Sequence, residues 1–252
     1  MYPTIHITLP SYAVLAVIGG FFVILFLYLR IDKYQLSFSD FIKMFSTSLV
    51  WGFLGSRVVF IISRLPWLFA NFTMQHLLST VIGGGLVFYG GLLGVLLGIF
   101  LYCKKHKINS KLVYNMIAPA IPLFHAFGRI GCFLSGCCYG IPLQAPVTVL
   151  GVIQFSRIPT QLIEALFEIL LFAILVIWQH RKKQNNYLKI YMITYAIFRF
   201  FIEFFRGDHV RGFYFGLSTS QIIAIAILIF YIIKHYRNSK FISSENPFDQ
   251  LS

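Results

Sequence analysis

PLFHAFGRIGCFLSGCCYGIP, residues 122–142, places Arg129 and the cysteines Cys132, Cys137 and Cys138 at the end of a long apolar run. A segment that only had to cross a bilayer would carry neither. A charge at membrane depth costs about 2.5–3.5 kcal/mol even on the lenient insertion scales, so an intramembrane arginine faces the protein interior and marks function. Gly128, Gly131, Gly136 and Gly140 allow close backbone approach and turns that other residues resist.

The surrounding chain has the same character. Of its 252 residues, 58% are hydrophobic and 12% charged. The length holds about seven spans of ~20 residues with short loops, and no separate soluble domain. The expected fold is an all-α integral membrane protein, a single polytopic domain with seven transmembrane helices near 11–29, 44–63, 81–102, 113–135, 160–179, 187–206 and 215–234. The opening MYPTIHITLPSY has no basic n-region or cleavage motif, so the first helix is expected to be retained rather than removed as a signal peptide.

Net charge is +13, but its distribution argues against nucleic acid as a partner. Fourteen of the 21 basic residues fall at Arg30–Lys43, Lys104–Lys111, Arg181–Lys189 and Lys234–Lys240. These lie on alternate loops, hence on one side, which the positive-inside rule makes cytoplasmic. The N-terminus is then outside and the C-terminus inside, as an odd number of spans requires. The other seven, Arg57, Arg64, Arg129, Arg157, Arg199, Arg206 and Arg211, are all arginine, while all 11 lysines are cytoplasmic. Arginine binds phosphate or carboxylate bidentately and keeps its proton in apolar surroundings. For Arg64, Arg157 and Arg211, snorkelling or pairing with acids is the plainer alternative.

Several spans carry further marks. An outer loop is expected over 64–79, with Pro66 and Trp67 at the interface. Gly90, Gly94 and Gly98 follow the four-residue spacing that lets helices pack closely in lipid, and the glycines at 83–85 mark a break or wide turn before them. Pro119 and Pro122 should kink the fourth span. A second outer loop is expected over 139–158. Glu164 and Glu168 share a face at i and i+4. In the sixth span Tyr195, Arg199, Glu203 and Arg206 form one polar stripe that cannot face lipid. Either it neutralises itself, or its surplus positive charge implies an anionic ligand, most simply a phospholipid phosphate. No internal repeat supports an inverted-repeat transporter.

The cysteine spacing Cys-x4-Cys-Cys differs from the paired Cys-x2–4-Cys of structural zinc sites, so no metal is expected. A disulfide from Cys132 to Cys137 or Cys138, or thiols packed against glycine, are the alternatives. His125 is either hydrogen-bonded to backbone or part of the site.

Six segments, in order, resemble the bacterial prolipoprotein diacylglyceryl transferases: GSRVVF (55–60), FYGGLLG (88–94), GRIGCFLSG (128–136), IPTQLIE (158–164), YAIFRFFIEFFRGD (195–208) and LSTSQ (217–221). The resemblance implies an enzyme of the bacterial cytoplasmic (inner) membrane that needs no cofactor. Such enzymes transfer the diacylglyceryl group of phosphatidylglycerol to the lipobox cysteine of a prolipoprotein signal peptide, releasing glycerol phosphate. It also implies site residues. Arg129 and Arg199 would clamp the phosphate, with Tyr89 and Glu203 in the catalytic set. Arg57, Arg206, Tyr12, Tyr195, Gly90, Gly91, Gly128, Gly131, Cys132 and Gln161 would line the substrate.

The sequence departs from the family at the family's histidine before Gly-Gly, which is Tyr89 here. Its signature asparagines are Cys132 and Ser135, the following acid is Cys137, and the histidine before proline is Ile158. Tyrosine is a poor base near neutral pH. Deprotonation of the acceptor would fall to another group, such as His125, or to the arginine cavity with solvent. The lipid-phosphate half of the site is kept and the thiol half altered. A paralogue with a different acceptor and an anion transporter are the competing functions; a retinal protein is excluded by the absence of lysine from 215–233.

Overall fold

The computed structural model describes residues 4–5, 9–83, 87–149, 153–181, 186–207, 213–214 and 216–244. The helices in chain order are α1 Ser11–Tyr28, α2 Phe38–Ala70, α3 Met74–Gly83, α4 Phe88–Lys105, α5 Ser110–Ile117, α6 Ala120–Leu134, α7 Thr160–Arg181, α8 Tyr187–Ile202 and α9 Thr219–Ser244. Three two-stranded antiparallel hairpins join them: β1 Thr4–Ile5 with β2 Leu9–Pro10, β3 Pro142–Val149 with β4 Ile153–Arg157, and β5 Phe213–Tyr214 with β6 Leu217–Ser218. Among the described residues, five helical segments are long and apolar enough to cross a membrane: Ser11–Tyr28, Phe38–Leu65, Ser110–Leu134, Thr160–Arg181 and Thr219–Arg237. Their outward apolar side chains, Val17, Phe21, Leu166 and Ile232 among them, are exposed, as lipid-facing surface should be. This is a multi-pass membrane protein.

The chain forms two compact units, Tyr28–Met116 and the remainder. In the Tyr28–Met116 unit α2 packs against α4 through the glycines that the spacing singles out. A Cβ on Gly94 would meet the Trp51 carbonyl, one on Gly55 the Gly90 carbonyl, and one on Gly98 the Trp51 side chain. The helices therefore touch backbone to backbone. Ser37 caps α2 by accepting from Asp40 N–H at 3.0 Å, and Tyr102 donates to Asp40 Oδ1 at 2.9 Å. Tyr114 donates to the Leu96 carbonyl at 3.0 Å, tying α5 to α4.

The other unit contains α1 and α6–α9. Its core gathers Ala118, Leu171, Leu175, Tyr187, Tyr191 and Tyr195. The rings of Phe167 and Phe198 stack at 3.8 Å between α7 and α8, and Phe127 stacks on Phe22 at 5.5 Å to seat α1.

Several expectations are corrected. The loop expected over 64–79 is mostly helix: α2 runs through Pro66 to Ala70, and α3 begins at Met74. The expected third span is split, since α3 ends at Gly83 and α4 starts at Phe88; Gly84 and Gly85 lie outside the described residues. The fourth breaks at Ala118–Pro119, as its prolines predict. The sixth is α-helical only to Ile202 and ends in a 3-10 turn at Glu203–Phe205. The loop expected over 139–158 contains the β3–β4 hairpin, pairing Val147 with Phe155 and Thr148 with Gln154; its β-branched residues favour a pleated strand.

Candidate active site

The polar face of α8 meets an acid from the neighbouring helix. Glu164, in the second turn of α7, is fully buried. It lies 2.9 Å from Arg129 Nη2 on α6, 3.2 Å from Arg199 Nη1 on α8, and 3.8 Å from Arg206 Nη1 just beyond it. Three guanidiniums thus share one carboxylate. Arg199 also pairs with Glu203 at 2.7 Å and donates to Ser220 Oγ on α9 at 3.1 Å. The side chain of Arg199 is 2% exposed and that of Arg129 is 11%. The described donors of Arg199 go to protein, whereas Arg129 is the arginine open at the edge of the cluster. The stripe neither balances itself nor stands with its whole surplus uncovered: Glu164 supplies a counter-charge from another helix. Three guanidiniums here meet two carboxylates.

The third acid, Glu168, engages His125. His125 Nδ1 lies 2.7 Å from Glu168 Oε1, and its Nε2 accepts from Arg129 Nε at 3.2 Å. A ring nitrogen that accepts carries no proton, so the proton sits on Nδ1, the nitrogen beside Glu168. Glu168, His125 and Arg129 form a chain that fixes the guanidinium. His125, expected either to bind backbone or to belong to the site, lies in the site, with its Nε2 lone pair accepting from Arg129.

Beyond α6 the backbone is locked. Gly136 and Cys138 both have left-handed backbone, φ 72° and 60°, and only the first is glycine. A non-glycine residue persists there when its surroundings over-determine it. Thr160 Oγ1 donates to the Cys138 carbonyl at 3.0 Å, and Gln161 Nε2 to the Cys137 carbonyl at 2.7 Å. Gln161, expected against substrate, is buried and engages this loop. None of the cysteines forms a disulfide, and the Sγ atoms of Cys132, Cys137 and Cys138 lie within 4.8 Å of one another.

The loop then crosses the end of α8. Ile141 N–H donates to the Phe205 carbonyl, Gly207 N–H to the Tyr139 carbonyl and Gly140 N–H to the Ile158 carbonyl, each at 3.0 Å. Gly140 pairs with Arg206 as an antiparallel bridge, so this crossing aims Arg206 at Glu164. Arg157 lies over the Tyr139 ring at 4.7 Å.

Other expected site residues fall on the same unit. Tyr12 rests on Gly131, where a Cβ would lie 3.3 Å from its ring. Tyr195 packs edge-on against the His125 ring at 5.1 Å. A Cβ on Gly128 would meet nothing within 4 Å, so no packing in the fold demands glycine there. Arg57, Gly90 and Gly91 belong to the Tyr28–Met116 unit. Arg57 donates to the Ile82 carbonyl at 2.8 Å and lies over the Phe53 ring. Gly90 faces Gly55 and Val59. The side chain of Tyr89 and all of Arg211 lie outside the described residues.

Glu164, which closes the IPTQLIE segment, and Glu168 are functional residues outside the expected site set. Their spacing as an acidic pair one turn apart and, for Glu164, its place in that segment are the signals that could have found them.

Comparison with known proteins identifies the family. The family model described as prolipoprotein diacylglyceryl transferase matches residues 2–236. The phosphatidylglycerol--prolipoprotein diacylglyceryl transferase of Clostridium tetani (strain Massachusetts / E88) is 35% identical over 195 residues, covering 74% of this chain and 76% of the relative. The protein named as transferase 2 in Clostridium perfringens (strain 13 / Type A) is also 35% identical, covering 74% and 75%. That of Finegoldia magna (strain ATCC 29328 / DSM 20472 / WAL 2508) is 34% identical, covering 76% and 77%. With a family match over nearly its whole length and relatives of this similarity, the chain belongs to the prolipoprotein diacylglyceryl transferase family.

Proposed function

We propose that this protein transfers the diacylglyceryl group of phosphatidylglycerol to the thiol of a lipobox cysteine, the first step of lipoprotein maturation. It does so in the bacterial cytoplasmic membrane, as one membrane domain of seven spans with the N-terminus outside and the C-terminus cytoplasmic. Its acceptor is the signal-peptide segment of a prolipoprotein.

The observation that carries this reading is the convergence of Arg129, Arg199 and Arg206 on Glu164. In the transfer the bond from the glyceryl carbon to the phosphate oxygen breaks, and negative charge grows on the departing glycerol phosphate. Fixed guanidiniums in a dry site stabilise such charge without reorganising at the moment of reaction. Arg129, at the open edge and held by His125, contacts the phosphate. Arg199 and Arg206 add field and, with Glu164 and Glu203, keep Arg129 in place. Tyr12, Tyr195, Gly128 and Gly131 border the lipid headgroup, while Gln161 acts through the loop that it holds. The family resemblance supports a substrate-binding role for Arg57, Gly90 and Gly91 and a catalytic one for Tyr89.

The test is reaction of the purified protein with phosphatidylglycerol and a lipobox peptide, followed by mass spectrometry. Addition of one diacylglyceryl group, strongly reduced by Arg129→Ala, is expected. Lipid binding without addition would show that the acceptor is a different molecule and overturn this assignment.

A further inference from the structure

We propose that Cys132, Cys137 and Cys138 bind a zinc-class metal ion whose fourth ligand is the acceptor thiol, activating it for alkylation. This rests on the transferase reading of the same site. Three observations lead to it.

The first is convergence. All three Sγ atoms lie within 4.8 Å of one another. Tetrahedral Zn–S bonds of about 2.3 Å place sulfurs about 3.8 Å apart, so side-chain adjustments of about 1 Å would close the set on an ion. A disulfide would engage two of the sulfurs; a metal uses three.

The second is construction. Two adjacent cysteines reach the same point as Cys132 only because Gly136 and Cys138 take left-handed backbone. That backbone is held by Thr160 and Gln161, both buried, through the carbonyls of Cys137 and Cys138. Cys137 N–H also donates to the Cys132 carbonyl at 3.1 Å. Cys137 is exposed and Cys132 and Cys138 half-buried, which leaves an incoming thiol access. Three protein ligands with one open position are the pattern of catalytic rather than structural zinc.

The third is chemical need. The acceptor must react as thiolate, yet His125 has its lone pair on Arg129. A metal-bound thiol is deprotonated outright. Cys132 lies one turn beyond Arg129 on α6. The nucleophile would therefore be held beside the arginine that takes the phosphate.

The step balances. On coordination the acceptor thiol gives its proton to solvent. The sulfur lone pair attacks the glyceryl carbon, the C–S bond forms, and the C–O bond breaks. Its electron pair leaves on the glycerol phosphate oxygen beside Arg129. The product thioether is uncharged, a weaker ligand, and dissociates.

The test uses the full chain, purified reduced and metal-free in detergent, titrated with Zn²⁺ and with Co²⁺ as the spectroscopic probe. One ion per chain and sulfur-to-cobalt charge-transfer absorption are expected. Both should be lost in Cys137→Ser, whose exposed position makes it the variant least disturbing to the fold, and in Cys132→Ser. A lipobox peptide should alter the cobalt spectrum, while the same peptide with serine for cysteine should not. Chelation should lower transfer by at least about 10²-fold, the scale of a lost acid–base group, and Zn²⁺ should restore it. No stoichiometric uptake, a disulfide among the three in protein isolated with thiols trapped, or a cobalt spectrum blind to the peptide thiol would each overturn the proposal. A thiol-dependent cobalt spectrum without any transfer would instead overturn the transferase reading and leave the metal site standing.

Discussion

Arg129 Nε donates to His125 Nε2 across 3.2 Å, and the opposite ring nitrogen of His125 faces Glu168 at 2.7 Å. The imidazole orients the guanidinium, and the lone pair that would take a proton from substrate is the one that accepts from Arg129. His125→Gln is expected to keep most transfer activity, because its amide oxygen can accept from Arg129. His125→Phe offers no acceptor and should lose about 10²-fold, the scale of a misplaced catalytic group. Initial rates with phosphatidylglycerol and a lipobox peptide decide it, since a base would be lost equally in both variants.

Glu164 is the shared counter-charge of Arg129 and of the buried Arg199 and Arg206. Removing one partner of a buried ion pair leaves an uncompensated charge and costs about 3–5 kcal/mol. Glu164→Gln should therefore lower the midpoint of unfolding in detergent micelles sharply, with loss of transfer following from displaced arginines. An unchanged midpoint would remove Glu164 from its place at the centre.

Arg129 and Arg199 should separate stability from catalysis. Arg199 joins Glu164 and Glu203 to Ser220 across three helices, so Arg199→Ala is expected to lose both stability and activity. Arg199→Lys should restore neither in full, since a point charge cannot replace the fork. Arg129, at the open edge, has fewer protein partners. Arg129→Ala should lower transfer by about 10²–10³-fold, as loss of one electrostatic donor does, with a smaller change in unfolding midpoint. Parallel thermal melts and rate measurements test the contrast.

What could be read from the sequence followed periodicity and composition. The Gly90–Gly94–Gly98 face and the Tyr195–Arg199 turn of α8 lie where helical spacing puts them, whereas Glu203 and Arg206 fall beyond the end of α8. Glu164 stands in the IPTQLIE segment, but its role comes from Arg199, 35 positions away, and no local pattern encodes that meeting. The thiol cluster depends on positive φ at Gly136 and Cys138; cysteine gives no sign of such backbone in a sequence. Pro66 suggested a loop, yet α2 continues through it. The β3–β4 hairpin was masked by the expectation that an outer segment between spans would be irregular.

Gly140 and Gly128 offer a contrast between packing and substrate. A Cβ on Gly140 would collide with the Ile158 carbonyl and lie 2.9 Å from the Phe205 carbonyl, prising apart the crossing that aims Arg206. Gly140→Ala is expected to destabilise the protein and weaken transfer together. Gly128 is mid-helix with open space around its missing Cβ. There alanine should stabilise the fold by up to about 1 kcal/mol through helix propensity. If the headgroup of phosphatidylglycerol lies against this surface, beside Arg129, the added methyl should raise the apparent KM for lipid while the unfolding midpoint stays level or rises. A Gly128→Ala variant with unchanged KM would place the lipid elsewhere along the cluster.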